Sequence, residues 1–139
     1  MKEINGKTYI EKAPHSMEEL LEIVTILRSP QGCSWDRAQT HESMKQCCID
    51  EAQEVLEAID HKDDENLCEE LGDVLLQVLL HSEIAKERGA FDFYDVVQGV
   101  AEKMIRRHPH VFGDVKNPET EAEALALWKK VKAIEKEQR

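Results

Sequence analysis

The chain has 139 residues, enough for one domain, with 34% charged and only 5% aromatic residues and a formal net charge of −11. That balance argues against a nucleic-acid or anionic-membrane binder, and the aliphatic, Glu- and Lys-rich composition suits packed helices better than a β-sandwich. No apolar run approaches the ~20 residues needed to span a bilayer, and residues 1–16 hold no signal-peptide core, so a cytoplasmic, non-membrane protein is expected.

Residues 1–15 are poorly patterned and read as an N-terminal arm, leaving 16–139 as one helical domain. Nothing reads as a strand. A first helix begins after Ser16, where Ser16 and Glu19 form a capping-box pattern. Its apolar stripe is Met17, Leu20, Leu21, Val24 and Leu27, and Ser29-Pro30-Gln31-Gly32 stops it. Trp35 is expected to pin the loop that follows. A second helix is expected from about Thr40 to Asp60, with Met44, Cys48, Ala52, Val55, Leu56 and Ile59 stepping by three and four.

After the turn at residues 61–64, a third helix runs from about Asn66 to Arg88. It is apolar almost all round near its centre, which makes it the most buried element or a subunit interface. Gly72 in its middle suggests close approach by a neighbouring backbone, and Gly89 is placed to end it. Asp92 caps a fourth helix carrying Phe93, Val96, Val97, Val100, Met104 and Ile105. The segment His108 to Asp114 reads as a loop. A fifth helix starts near Pro118 or Thr120 and carries Leu125, Trp128, Val131 and Ile134. The expected fold is all-α, a bundle of about five helices.

Four of the 29 acidic residues stand apart by placement. Glu51 and Glu54 share a face of the second helix at i, i+3, and Glu70 and Asp73 repeat that spacing on the third. Glu54 and Glu70 are each eight residues from Lys62, while Glu51 and Asp73 are each eleven away. In an antiparallel hairpin, positions equidistant from the turn lie at the same height, so the four carboxylates can converge in two facing layers. Such a set repels itself unless a cation sits among it, and oxygen-only ligands suit Mg²⁺ or Mn²⁺. The plainer reading is an acidic, solvated seam. None of the six histidines has Glu three residues before it, which removes the Glu-x-x-His pattern of di-iron bundles.

Lys103 and Arg107 lie at i, i+4 near the end of the fourth helix, a spacing fit to grip a triphosphate. Trp128 and Lys132 repeat it on the last helix, where an indole can stack on a base or sit in the core. Cys33, Cys47, Cys48 and Cys68 lack CxxC spacing and read as free thiols.

The stretches Cys33–His41, Asp50–Asp60, Glu69–Asp73 and Arg106–Asp114 together resemble the MazG family of nucleoside triphosphate pyrophosphohydrolases. The resemblance covers about residues 17–135 and contains one copy of the domain. It implies an all-α fold and Mg²⁺ (or Mn²⁺) held by Glu51, Glu54, Glu70 and Asp73 as metal ligands and catalytic residues. It further implies NTP or dNTP hydrolysis to monophosphate and pyrophosphate, and a homodimer or homotetramer. Lys103, Arg107, Trp128 and Lys132 match positions that resemble nucleotide contacts. Ser34, Asp50 and Gln53 depart from the usual Pro, Glu and Tyr around these motifs. A specialised dCTP, dUTP or phosphoribosyl-ATP pyrophosphatase, or a catalytically silent nucleotide-binding module, are the alternatives.

Overall fold

The computed structural model describes residues 3–4, 7–8 and 14–138. Among these residues the elements are β1 (Glu3–Ile4), β2 (Lys7–Thr8), α1 (Met17–Leu27), α2 (Ser34–Ala38), α3 (Lys45–Asp60), α4 (Asp64–Glu87), α5 (Phe93–Arg107), α6 (Pro109–Phe112) and α7 (Glu121–Glu137). The chain divides into two compact units, Met1–Ala90 and Phe91–Arg139.

The architecture is all-α with one small exception. β1 and β2 pair antiparallel, Glu3 opposite Thr8 and Ile4 opposite Lys7, against the expectation of no strand. The sequence signal is Asn5-Gly6 between them, the dipeptide favoured in tight hairpins. The remainder of the 1–15 arm falls largely outside the described residues.

In the first unit, Ser16 accepts the Glu19 N–H at 3.1 Å and starts α1. Gly32 stands where a Cβ would come within 2.2 Å of the Ile26 carbonyl oxygen, so only glycine lets the chain fold back so closely on the end of α1. Trp35 does not pin this loop, for it is exposed on α2. Arg28 does so instead, donating from Nη1 to the carbonyls of Asp36 and Gln39 at 2.6 and 3.1 Å, while Nη2 pairs with Glu87 at 2.8 Å. α2 is a single turn of helix and carries no periodic signal.

α3 begins five residues later than its apolar spacing suggests. Thr40 and Ser43 exchange side-chain-to-backbone hydrogen bonds at 2.8 and 3.1 Å and hold residues 40–44 as a turn. The expected stripe holds in part: Met44 is buried and Cys48 and Val55 are half-buried, whereas Ala52, Leu56 and Ile59 are exposed. Half-buried Glu51 and buried Ala58 complete that inner side, which makes an apolar seam interrupted by polar groups. Lys62, at φ 53°, makes the tight turn, and Asp63 caps α4 by accepting the Asn66 N–H.

α4 is the most buried helix, but only in its C-terminal half, where Leu79, Leu80, Ile84 and Ala85 join Val24 and Ile26 of α1 in the core. Leu71 and Val78 face outward. A Cβ at Gly72 would meet nothing within 4 Å, so no neighbouring backbone closes on it within the described residues, contrary to expectation. Gly89, at φ 73°, ends the helix as expected.

In the second unit, Asp92 and Asp95 form a complete capping box on α5, and Thr120 caps α7. The presumed loop after α5 holds one helical turn, α6, opened by Pro109 at its first position, where a missing N–H costs nothing. Along α5, Phe93 is buried, but Val97, Val100, Met104 and Ile105 are exposed, so the stripe foreseen there is mostly uncovered.

Candidate metal centre and cation cluster

Hairpin geometry delivers the two carboxylate layers. Glu51, Glu54, Glu70 and Asp73 each offer an oxygen within 4.8 Å of the others. α3 and α4 are long helices joined by a tight turn, so the heights of the four groups are set by residue count. Glu51 Oε2 and Glu70 Oε2 are shut off from solvent and accept no hydrogen bond. A shielded anionic oxygen without a donor is costly, and a divalent cation removes that cost. The donor set therefore fits a hard cation taking oxygen ligands.

The electrostatics report the same crowding. Glu70 is pushed up to about 7, first because a proton on it bridges to the Glu54 carboxylate, then by burial and by repulsion from Glu54, Asp73 and Glu69. Burial pushes Glu51 up too, helped by the charges of Glu54 and Asp73. Without a cation the cluster holds a proton near neutral pH.

One turn beyond Glu51 and Asp73, the hairpin seam stays polar. Cys48 Sγ lies 3.3 Å from Gln77 Oε1 and 3.4 Å from His81 Nε2. His81 Nδ1 meets His41 Nδ1 at 2.8 Å, and Arg88 donates from Nε to His41 Nε2 at 3.2 Å. The two imidazole planes differ by 4° with centroids 5.1 Å apart, the separation of rings meeting nitrogen to nitrogen, so they lie edge to edge and not face to face. Arg88 has only protons to give, which makes His41 Nε2 an acceptor and His41 Nδ1 the donor to His81. His81 Nε2–H then points at Cys48, whose thiol donates to Gln77. The relay is complete only with both histidines neutral, and burial, then His41, pushes His81 below its ordinary value. Cys48 is fourteen residues from Lys62 and Gln77 fifteen, so counting outward past the carboxylate layers brings the two to nearly the same height, a signal the sequence holds but that acidic residues alone do not reveal. All four cysteines are free, as their spacing suggests.

The second unit brings together Arg107, Trp128 and Lys132. Lys132 Nζ stands 4.4 Å from the centre of the Trp128 ring and the Arg107 guanidinium carbon 5.6 Å from it. Arg107, Lys132, Glu135 and Lys136 line a pocket of about 240 Å³. Lys103 sits one turn earlier on α5 and takes no part in these ring contacts. Sequence reasoning missed Glu135, which pairs with both Arg106 and Arg107. It lies 28 residues beyond Arg107, across a loop whose path no spacing rule supplies.

These features define a class: an all-α domain with an acidic helix-hairpin cluster whose carboxylates could hold a metal ion. The chain belongs to the MazG nucleotide pyrophosphohydrolase domain family, whose model matches residues 39–112, just over half its length. It is 55% identical over 119 residues to the nucleoside triphosphate pyrophosphohydrolase/pyrophosphatase MazG of Thermotoga maritima, covering 86% of this chain and 45% of that one. With the nucleoside triphosphate pyrophosphohydrolase of Escherichia coli K12 it shares 40% identity over 126 residues, 90% of this chain and 48% of the other. The crystal structure of a mazG-related protein from Thermotoga maritima superposes with a TM-score of 0.68 at 33% identity, covering 84% of this chain and 98% of that one. The chain spans a quarter to about half the length of the curated relatives it matches. Among the described residues no helix is long and apolar enough to cross a membrane.

Proposed function

We propose that this chain hydrolyses nucleoside triphosphates, ribo or deoxy, to the monophosphate and pyrophosphate, with Mg²⁺ (or Mn²⁺) held by Glu51, Glu54, Glu70 and Asp73. The observation that carries this reading is the convergence of those four carboxylates, two of whose oxygens are shielded and lack a donor. The names of the relatives support the bond chosen.

When bound, the cation supplies charge neutralisation of the triphosphate and orientation of the attacking water. The protein's own groups do the rest. The two helices hold the four carboxylates at fixed heights, so little reorganisation accompanies the reaction. Arg107 and Lys132, with Lys103, offset phosphate charge, Arg107 through directed N–H donors and the lysines as point charges. Trp128 presents an indole face to which Lys132 is already drawn. Outward-facing Ile49, Leu56, Ile59, Leu71 and Val78 on α3 and α4 support assembly into a homodimer or homotetramer.

The test is a panel of NTPs, dNTPs and phosphoribosyl-ATP incubated with the purified chain and Mg²⁺ or Mn²⁺. Monophosphate and pyrophosphate as first products, abolished by EDTA, are expected. Diphosphate and orthophosphate would overturn the bond choice. Turnover of one substrate alone would mark a specialised enzyme, and turnover of none a silent binding module.

A further inference from the structure

Arg106 and Arg107 are consecutive on α5, so helix geometry sends their side chains roughly 100° apart, and their like charges favour separation. They nevertheless meet at one carboxylate. Glu135 of α7 accepts Arg106 Nε on Oε1 at 2.6 Å, and Arg107 Nε and Nη2 on Oε2 at 3.2 and 3.1 Å. The Glu135 and Arg107 side chains are only 11% and 13% exposed, against 52% for Arg106. Hydrogen bonding to Arg106 and Arg107 holds the Glu135 carboxyl below the usual range, so it is an anion throughout the neutral region.

A guanidinium carries five N–H donors in one plane. Arg107 commits Nε and one Nη2 proton to Glu135, which leaves both Nη1 protons and the second Nη2 proton directed away from it. We propose that Glu135 is a positioning residue for polyphosphate binding. It converges two guanidiniums and fixes the plane of Arg107 near Trp128, so that the uncommitted donors present a preformed fork to phosphate oxygens. The inference rests on the phosphate-gripping role proposed above for Arg107 and Lys132.

Two physical effects oppose each other here, and their signs differ. A carboxylate beside an anion site weakens it by simple repulsion, so removing Glu135 should tighten binding if charge alone mattered. An unrestrained arginine, however, loses rotamer freedom when it grips a phosphate, and one already held loses less. The part-buried, two-point anchoring of Arg107 favours the second effect.

Calorimetric titration of the full chain with inorganic tripolyphosphate, in EDTA at fixed ionic strength, separates them without base recognition or turnover. Glu135→Gln is expected to weaken binding about tenfold, the scale of a lost charge-assisted contact. In an Arg107→Gln background the same substitution should change affinity only about two- to threefold, because only the Arg106 part of the convergence is left to lose. Glu137→Gln, elsewhere on α7, should leave binding unchanged. Equal or tighter binding by Glu135→Gln, or fully additive loss in the double variant, would overturn the positioning role alone. Absence of tripolyphosphate binding by the unsubstituted chain would overturn the phosphate grip itself, and the inference with it. Should Glu135→Gln fail to melt cooperatively, Arg106→Gln at its exposed position reads the same convergence: a several-fold loss supports it, and unchanged affinity overturns it.

Discussion

Titrating the chain with Mg²⁺ at pH 6 and again at pH 8 tests the carboxylate cluster through the proton it holds. The Glu70 carboxyl stands at about 7, against an ordinary 4.5, because a proton there is shared with Glu54 and relieves the crowding. The folded chain thus keeps a proton that the unfolded chain releases. This group's contribution to stability is fully present below about 4.5 and is lost as pH rises through about 7 in the absence of metal. A divalent cation needs the ionised set. With one competing proton at that value, about a tenth of molecules present the ionised set at pH 6 and about nine-tenths at pH 8. Apparent affinity should therefore rise about tenfold between the two, and calorimetry in buffers of different ionisation enthalpy should count close to one proton released per ion at pH 6 and almost none at pH 8. At free metal near ten times Kd, linkage stabilises the fold by about 1.4 kcal/mol. For a chain of this length that is about 5 °C in Tm. Glu51→Gln/Asp73→Asn should lose the response, and Na⁺ at equal ionic strength corrects for general screening of the acidic surface. Affinity independent of pH, or an equal gain in the double variant, would refute the reasoning and leave a solvated acidic seam.

Glu51→Gln, Glu54→Gln, Glu70→Gln and Asp73→Asn should each lower turnover at least about 100-fold, the scale of lost transition-state electrostatics, while Glu57→Gln stays within a few-fold. Similar modest effects in steady-state kinetics for all five would contradict the two-layer geometry. His81, pushed below its ordinary 6.5, adds stability above that value that is lost as pH falls toward its folded-state value. The urea midpoint should accordingly drop more steeply from pH 7 to 5.5 in the unsubstituted chain than in His81→Gln, and parallel slopes would remove the neutral relay. Gly72→Ala should raise unfolding free energy by about 0.5–1 kcal/mol, since its Cβ meets open space. A loss in the same denaturation assay would reveal a second chain packed against it.

Chemistry local to a helix end was legible. Ser16, Asp92 and Gly89 bound their helices where a side-chain oxygen, or a permitted positive φ, predicts, and Thr120, one of the two starts considered for the last helix, caps it. The carboxylate layers were legible for a related reason: in a tight hairpin, distance from the turn is a coordinate. One-turn helices such as α2 and α6 offer too few residues for a period to appear. The start of α3 was misjudged because Thr40 and Ser43 satisfy one another in a turn that apolar spacing ignores. Met44, Cys48 and Val55 keep to the inner side as their period predicts, but Leu56 and Ile59 are exposed and Glu51 and Ala58 share the inner face, so hydrophobic spacing drew the stripe of α3 too far round the helix. Glu135 was out of reach altogether, because its partners arrive through a loop and not through a helix register.

Placing all four carboxylates within residues 51–73 also has a kinetic consequence. Contacts so close in sequence cost little chain entropy and form early, whereas the bond from Arg28 to Glu87 spans 59 residues and must wait for larger loop closures. The earliest part of the chain to assemble is thus the part that repels itself most. The cation proposed for this site, if present during folding, would act as a template for the hairpin as well as a ligand of the finished protein. Refolding into a chelator would be slowed at this step, not merely arrive at a less stable end.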